Sequence, residues 1–410
     1  MTNKSLKYSS CGRQKGQTAI FLIIFFIMFI ILSTVEFLTV SQQRVSGNII
    51  KSISSYYVAE SGIEDALWRL KKNWAMPATS YTLNVDQGKA YVNIGGMLGG
   101  SRTIISRGDL SNMIRKIRVV YEIKQDAINF HYAAQAGSGG VKMENNSIIN
   151  GNVYSDGNIE KVQGVGGVAT ITHSAVVSGN GNIIKSGIII GTAGTNPPDQ
   201  AKAYACDGAT INGNLYYVSG GSSNCTINGG TTTVLEAGPP YPISSEPFPI
   251  SDAQINAWKY GASCGDNCIF NGNYTVNSSV SLGPKKIVGD LTIGNNVILT
   301  LTGNLWVTGN IIINPGATVK LNTNYGSTSG VIIADGTITS ENGSLLLGSG
   351  TAGSYLMLLS TSTSVDNSAA VTVKNNTEGT IFYASKGIVR LLNKIRIKEI
   401  ISGWQIYLDN

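Results

Sequence analysis

Four cysteines, Cys206, Cys225, Cys264 and Cys268, are the residues whose type and spacing most directly permit chemistry in this chain. Four cysteines allow three disulfide pairings. Cys206–Cys225 with Cys264–Cys268 is the preferred one, because each pair brackets one local segment. Such bonds need an oxidising compartment; reduced, buried thiols are the competing reading. The spacing is not the Cys-x2-Cys type of a zinc site and no His lies nearby, so no metal is expected. A fifth cysteine, Cys11, precedes Gly16.

Carboxylates offer the next chemistry. Polysaccharide hydrolases and lyases need clustered acids, or an Arg or Lys base beside a metal-binding Asp group. Here Asp156, Asp207, Asp266, Asp290, Asp335 and Asp366 are scattered, mostly beside Gly or Asn, and read as turn residues. His131 and His173 stand alone in β contexts, and no Ser/His/Asp or Cys/His arrangement can be built. No enzyme and no cofactor are expected. Near the C-terminus, Arg390, Lys394, Arg396 and Lys398 lie along strand-like sequence. A solvated strand face is the plain reading of them, and binding of an acidic surface glycan the sharper one.

The elements that carry these residues are mainly β. The chain has 410 residues, of which 49 are Gly and only 13% are charged. After Gly137 a loose repeat appears in "IINGNVY", "TINGNLYY", "CTINGG" and "IFNGNYTV". Farther on, "GNLWVTGNIIINPGATVKL" turns every few residues, closer than the spacing of a sandwich or barrel. A right-handed parallel β-helix over residues 126–410 is predicted, with in-facing Ile, Val and Leu stacked coil on coil and Asn side chains stacked at the corners. It is similar to bacterial surface β-helices and the bactofilin-like repeat as a general type. A Pro-rich segment, "EAGPPYPISSEPFPI", opens an excursion over 236–262 that runs into a short helix with Ser251 as N-cap. A proline-motif docking segment is its alternative. The closing "IISGWQIYLDN" is strand-like with no polar capping coil, so further sequence or a covering partner is expected there.

The head differs. Residues 1–16 carry Lys4, Lys7, Arg13 and Lys15 with no acid, and Gln17–Val35 carries no charge. A helix of 19 residues rises roughly 28 Å, enough for a bilayer core of about 30 Å. The span extends to Val40, and the basic flank predicts a cytoplasmic N-terminus. The uncharged run is longer than a secretory h-region and no Ala-x-Ala site follows it. Apolar residues then recur at Val45, Ile49, Ile53, Tyr56, Tyr57, Ile63, Leu67 and Leu70, and "KKNWAMP" ends the helix near residue 76. Gly47 and Gly62 are possible bends in it. "SYTLNVDQGKAYVNI", "SRTIISRG" and "MIRKIRVVYEIK" predict a small antiparallel sheet over 77–125. In the last of these Ile117, Val119, Tyr121 and Ile123 share one face, and the charged residues between them take the other. Residues 126–410 are mildly acidic overall, and no basic footprint for nucleic acid is present.

A basic leader ending in Gly, then an apolar half-helix running into an amphipathic one, resembles a type IV pilin or pseudopilin. "YYVAESGIEDALWRL" (Tyr56–Leu70) resembles the second segment of the PilX-type minor pilin N-terminal family, so the likeness covers roughly residues 10–75. The resemblance implies cleavage by prepilin peptidase between Gly16 and Gln17. It also implies storage in the inner membrane and packing of the helix against other pilins or pseudopilins. Two departures stand out: the mature chain would start with Gln17, and Phe21 occupies the position where major pilins carry Glu. That Glu offsets a neighbour's buried amine, and Glu36 is too distant to replace it. Its loss points to a minor or initiating subunit for pilus assembly, adhesion or display. The alternatives are an uncleaved anchor, a membrane-anchored carbohydrate-active β-helix enzyme, and a polymerising structural β-helix.

Overall fold

In the computed structural model the described residues are 14–96, 101–122, 128, 130–144, 146–162, 166–195, 198–218, 224–228, 233–235, 243–365, 368–393 and 396–409. Sequence free of Pro up to Pro77 forms one unbroken helix, α1 (Gln14–Lys72, 59 residues). Arg69, Lys71 and Lys72 occupy its last turn, where cations favour the negative helix end. Two compact units follow from the contacts: one holds the chain up to Leu67 with Ser80–Ile94 and Ile104–Val119, the other Trp68–Thr79, Gly95–Thr103 and everything from Val120 on.

In the first unit, α1 packs on a four-stranded sheet of β1 (Thr79–Val85), β2 (Gly88–Ile94), β3 (Ser101–Leu110) and β4 (Met113–Glu122), in that order. β2 and β3 are antiparallel, from Lys89 opposite Asp109 to Ile94 opposite Ile104. Alternation buries Ala90, Val92 and Ile94 of β2. In β4, Ile117, Val119 and Tyr121 are half-buried while Lys116 and Arg118 are exposed; Ile123 lies outside the described residues. The helix face on this sheet is a stripe of small residues: Ser55, Val58, Ala59, Gly62, Ile63 and Ala66. A Cβ on Gly62 would lie 2.9 Å from Val92 Cγ2 and 3.0 Å from the Ala90 Cβ, so close approach requires Gly there. Ser55 Oγ donates to Met113 O at 2.6 Å. This corrects part of the helical face expected from the sequence, of which Ile63 and Leu70 are buried. Ile49, Ile53, Tyr56 and Tyr57 share the apolar spacing but are exposed, because the sheet selects small residues that let the backbones approach.

The second unit contains a parallel β-solenoid. Short strands pair in parallel with strands one coil away, as in Leu291–Ile293 with Ile311–Ile313 and Ile311–Ile313 with Ile338–Ser340. Its core is a set of in-register stacks. One runs Leu305, Ile332, Leu358, Phe382, Ile401, Ala134, Val153, Ala175, Ala201 and Leu215, all buried. The Asn-Gly repeat marks corners. Asn273 Oδ1 accepts from Asp290 N–H (2.9 Å), Asp290 Oδ1 from Asn310 N–H (2.7 Å) and Asn310 Oδ1 from Thr337 N–H (2.8 Å). The glycines beside them admit the next coil: a Cβ on Gly309 would lie 2.7 Å from Gly289 O, and one on Gly336 2.7 Å from Gly309 O.

The order of coils is not the order of sequence. The first solenoid strand, Ala134–Met143, has neighbours on both sides: Val153–Ser155 and Ile159–Lys161 on one, the final strand Arg396–Asp409 on the other. The chain therefore enters the solenoid in its middle. It winds outward to Thr233–Leu235, is carried to the opposite end at Ile269–Asn271, and winds back until its last strand meets its first. The edge of the final strand, expected to need a partner, is covered by Ala134–Met143 of the same chain.

The Pro-rich excursion makes the return journey. Gly179 N–H donates to Ile243 O (3.1 Å), Tyr154 Oη to Ser244 O (3.0 Å), Gln135 Nε2 to Pro247 O (3.2 Å) and Tyr383 Oη to Ile250 O (2.9 Å). Residues 243–250 thus cross the seam between first and last coils. The four strand spacings they cover come to roughly 19 Å at about 4.8 Å each. Seven residue steps in polyproline II geometry reach roughly 22 Å, so the strap must run extended. It crosses the strands and joins no ladder, so the missing N–H groups of Pro247 and Pro249 cost it nothing. Residues 236–242, with Pro239, Pro240 and Pro242, lie outside the described residues.

The strap ends in α2 (Asp252–Ala262), capped by Ser251, whose side chain accepts from Gln254 N–H while Gln254 closes the capping box. Ile250 and Ile255, with Phe248 and Trp258, cover an outer apolar patch of Val331, Ile333, Met357, Leu359, Ile381 and Tyr383. Strands Gly330–Ala334 and Leu356–Ser360 are buried at every residue, the pattern of parallel strands covered on both faces.

Candidate membrane and assembly site

The surface most in need of a partner is the free part of α1. Residues 18–46 are exposed throughout, and the helix has a window of mean hydropathy 2.9 with none of it buried. It is long and apolar enough to cross a membrane. Two of its hydroxyls are satisfied within the helix: Thr34 Oγ1 donates to Ile31 O (2.8 Å) and Thr39 Oγ1 to Val35 O (2.8 Å), which suits a hydrocarbon setting. Phe29, Ile30, Ser33, Thr34, Phe37 and Leu38 line a shallow notch where two small side chains sit between large ones.

Exposed apolar surface continues well past one bilayer. Ile49, Ile50, Ile53, Tyr56 and Tyr57 remain open to solvent, Ile53 at 50% and Tyr57 at 60%. From Ile20 to Tyr57 the helix rises roughly 55 Å, nearly twice a hydrocarbon core of about 30 Å. A bilayer covers at most the first half. Gly16 and Gln17 lie within the first turns of α1, and their side chains are outside the described residues. Phe21 is 79% exposed, and Glu36 stands on the same uncovered helix.

The structure brings the four cysteines together as Cys206–Cys225 (Cα–Cα 5.9 Å) and Cys264–Cys268 (5.3 Å). The first joins adjacent coils; the second closes the turn between α2 and the first strand of the terminal coil. The scattered acids serve locally. Asp156 Oδ1 accepts from Tyr154 Oη (2.8 Å) and from Ser178 Oγ. Asp335 accepts from Trp306 Nε1 (2.9 Å) and pairs with Lys259 of α2 (2.5 Å). Asp266 sits in a turn at φ 68, and Asp366 lies outside the described residues. His173 Nδ1 lies 2.8 Å from Thr172 Oγ1, whereas His131 neighbours Tyr132. Among the described residues no three His, Cys, Asp or Glu side chains gather where they could hold a metal ion. Arg390 pairs with Asp409 (3.3 Å) and stacks on Tyr407; Lys394 and the side chains of Arg396 and Lys398 are outside the described residues.

Two features escaped sequence reasoning. One is the course of the Pro-rich excursion, read from the sequence as leaving the coil but not as crossing the seam between first and last strands. The other is the outer patch it covers, signalled by the unbroken apolar runs "GVIIA", "LMLLS" and "TIFYA" where exposed coils alternate.

No protein-family model matches this chain, and none of the curated proteins does. Among solved structures, the competence-associated pilin ComZ from Thermus thermophilus matches at 9% identity over 88% of this chain and 92% of that one. The TM-score is 0.22, too low to define a shared fold.

Proposed function

We propose that this protein is a non-enzymatic minor pilin or pseudopilin. Its leader is removed between Gly16 and Gln17 by prepilin peptidase. Its α1 is stored in the inner membrane and then packs among the helices of other pilins, and its solenoid is displayed outside the cytoplasm for assembly or adhesion. The observation that carries this is the length of uncovered apolar helix. A plain anchor has no use for Ile49, Ile50, Ile53, Tyr56 and Tyr57 in water, whereas a bundle of like helices would bury them all. The two disulfides support an oxidising site for the solenoid. Phe21, in place of an acid, favours a low-copy or initiating subunit over a bulk one.

The test is the mass of the N-terminus in cells with and without prepilin peptidase. A mature chain starting at Gln17, found only when the peptidase is present, is expected. A chain that starts at Met1 in both overturns the proposal.

A further inference from the structure

Strand β3 places a charge where its alternation calls for an apolar residue. Arg102, Ile104 and Ser106 are the buried positions of its first half, and Arg102 is only 3% exposed. Its Nη2 donates to the carbonyl of Met76. That residue lies in the turn after α1, where Met76 N–H donates to Asn73 O (3.3 Å). Nε and Nη1 of Arg102 are buried too, and among the described residues they have no hydrogen-bond partner.

A guanidinium carries five N–H donors in a rigid fork. Its two edges pair Nη2 with Nε on one side and with Nη1 on the other. Met76 takes one Nη2 hydrogen, so the second still completes one edge or the other. A two-donor edge is left over in either case. Burial lowers the pKa of this group from the usual 12.5 to about 10, as for a cation that has lost water without gaining an anion. Buried charge in that condition is costly, and a counter-charge held by hydrogen bonds offsets the cost.

We propose that Arg102 is the receptor of a small bound oxoanion, a carboxylate or phosphate group held on the free edge of its guanidinium. The residue type selects that ligand. A planar fork matches two oxygens of one carboxylate or phosphate, whereas a halide meets only one point of it. The strand pair leaves room beside the arginine. Ile94 stands opposite Ile104, and Gly95 N–H donates to Thr103 O (2.9 Å), so the next position across from Arg102 is Gly96. Side chains at such positions are neighbours on one face, and Gly96, which is exposed, has none to lay over Arg102.

Hydrogen exchange tests this on the full-length protein in detergent micelles, after exhaustive dialysis into chloride. Inorganic phosphate, acetate and further chloride are added at matched ionic strength, and amides of Ser101–Leu110 are read. Phosphate or acetate is expected to slow their exchange saturably, about tenfold at ten times the half-saturating concentration, and chloride to leave it unchanged. The more effective of the two tells a phosphate site from a carboxylate site. Arg102→Met is expected to abolish the response. Arg102→Lys keeps the charge without the fork and is expected to raise the half-saturating concentration about tenfold or more. Gly96→Val leaves the arginine in place and serves if neither of those variants folds. A Cβ there meets nothing within 4 Å among the described residues, and the added side chain is expected to weaken the response by crowding the free edge. A parent that ignores both oxoanions overturns the proposal, and so does a slowing that survives undiminished in Arg102→Met or in Gly96→Val.

Discussion

Ile250→Ala should open the seam between the first and last solenoid coils while leaving distant coils closed. Ile250 is 3% exposed, packs on the outer patch with Ile255 and Tyr383, and its carbonyl accepts the Tyr383 hydroxyl. Removing three carbons at about 0.8 kcal/mol each gives roughly 2.4 kcal/mol, and a residual cavity brings the loss to about 3 kcal/mol. At 1.4 kcal/mol per decade, local opening of the seam should rise on the order of 100-fold. Hydrogen exchange read by mass spectrometry is the assay, because a repeat protein need not unfold in one step. Amides of Ala134–Met143 and Arg396–Asp409 should exchange about two decades faster, and those of Leu291–Ile293 and Ile311–Ile313 should not change. Exchange that is unaltered at the seam, or that rises equally in every coil, refutes the claim that the strap holds the two halves together.

Alkali should loosen the same strap. Burial, then Glu246, pushes the Tyr132 hydroxyl up to about 12; burial pushes Tyr383 up to about 12 and raises Tyr154 as well. A raised folded value means the contribution is complete below the unfolded value of about 10 and is lost as pH climbs from there through 12. Strap amides should become labile in that window, and an unchanged exchange pattern from pH 9 to 12 would count against the assignment. Cys206→Ser should cost about 3 kcal/mol, from a loop with a sequence separation of 19, and should show as faster proteolysis of the coils around Cys206. Equal resistance of variant and parent would argue that the bond is dispensable. Gly309→Ala places a Cβ 2.7 Å from Gly289 O and against the Asp290 carboxylate. It should destabilise that corner by about 1–3 kcal/mol, read as a lower thermal midpoint. A variant as stable as the parent would mean the corner has room to relax.

Local pattern made much of the fold legible. Absence of proline, with an uncharged apolar run from Gln17 to Val35 and apolar periodicity beyond it, dictated α1; period-two alternation dictated β2 and β3, and Asn-Gly corners at short spacing dictated a parallel solenoid. Each is a property of neighbouring residues, and so is the closeness in sequence of Cys264 to Cys268. Which face of α1 meets the sheet was not legible, because small residues at Gly62 and Ala59 compete with Ile53 and Tyr57 only through distance of approach.

The candidate site was half legible. Hydropathy located the apolar helix, but its exposure beyond one bilayer thickness depends on what the rest of the chain leaves uncovered. The order of coils depended wholly on tertiary structure. Every coil presents much the same aliphatic stack, so the repeat cannot say that Ile401 rests on Ala134, more than 250 residues earlier in the chain. That pairing is fixed by a strap just long enough to cross the seam and by an apolar patch that the strap and α2 cover. Sequence therefore determined the elements and their repeat, through local sterics and periodicity. Tertiary structure decided which coils meet and that the first solenoid strand covers the last, because those are relations between residues the chain brings together only on folding.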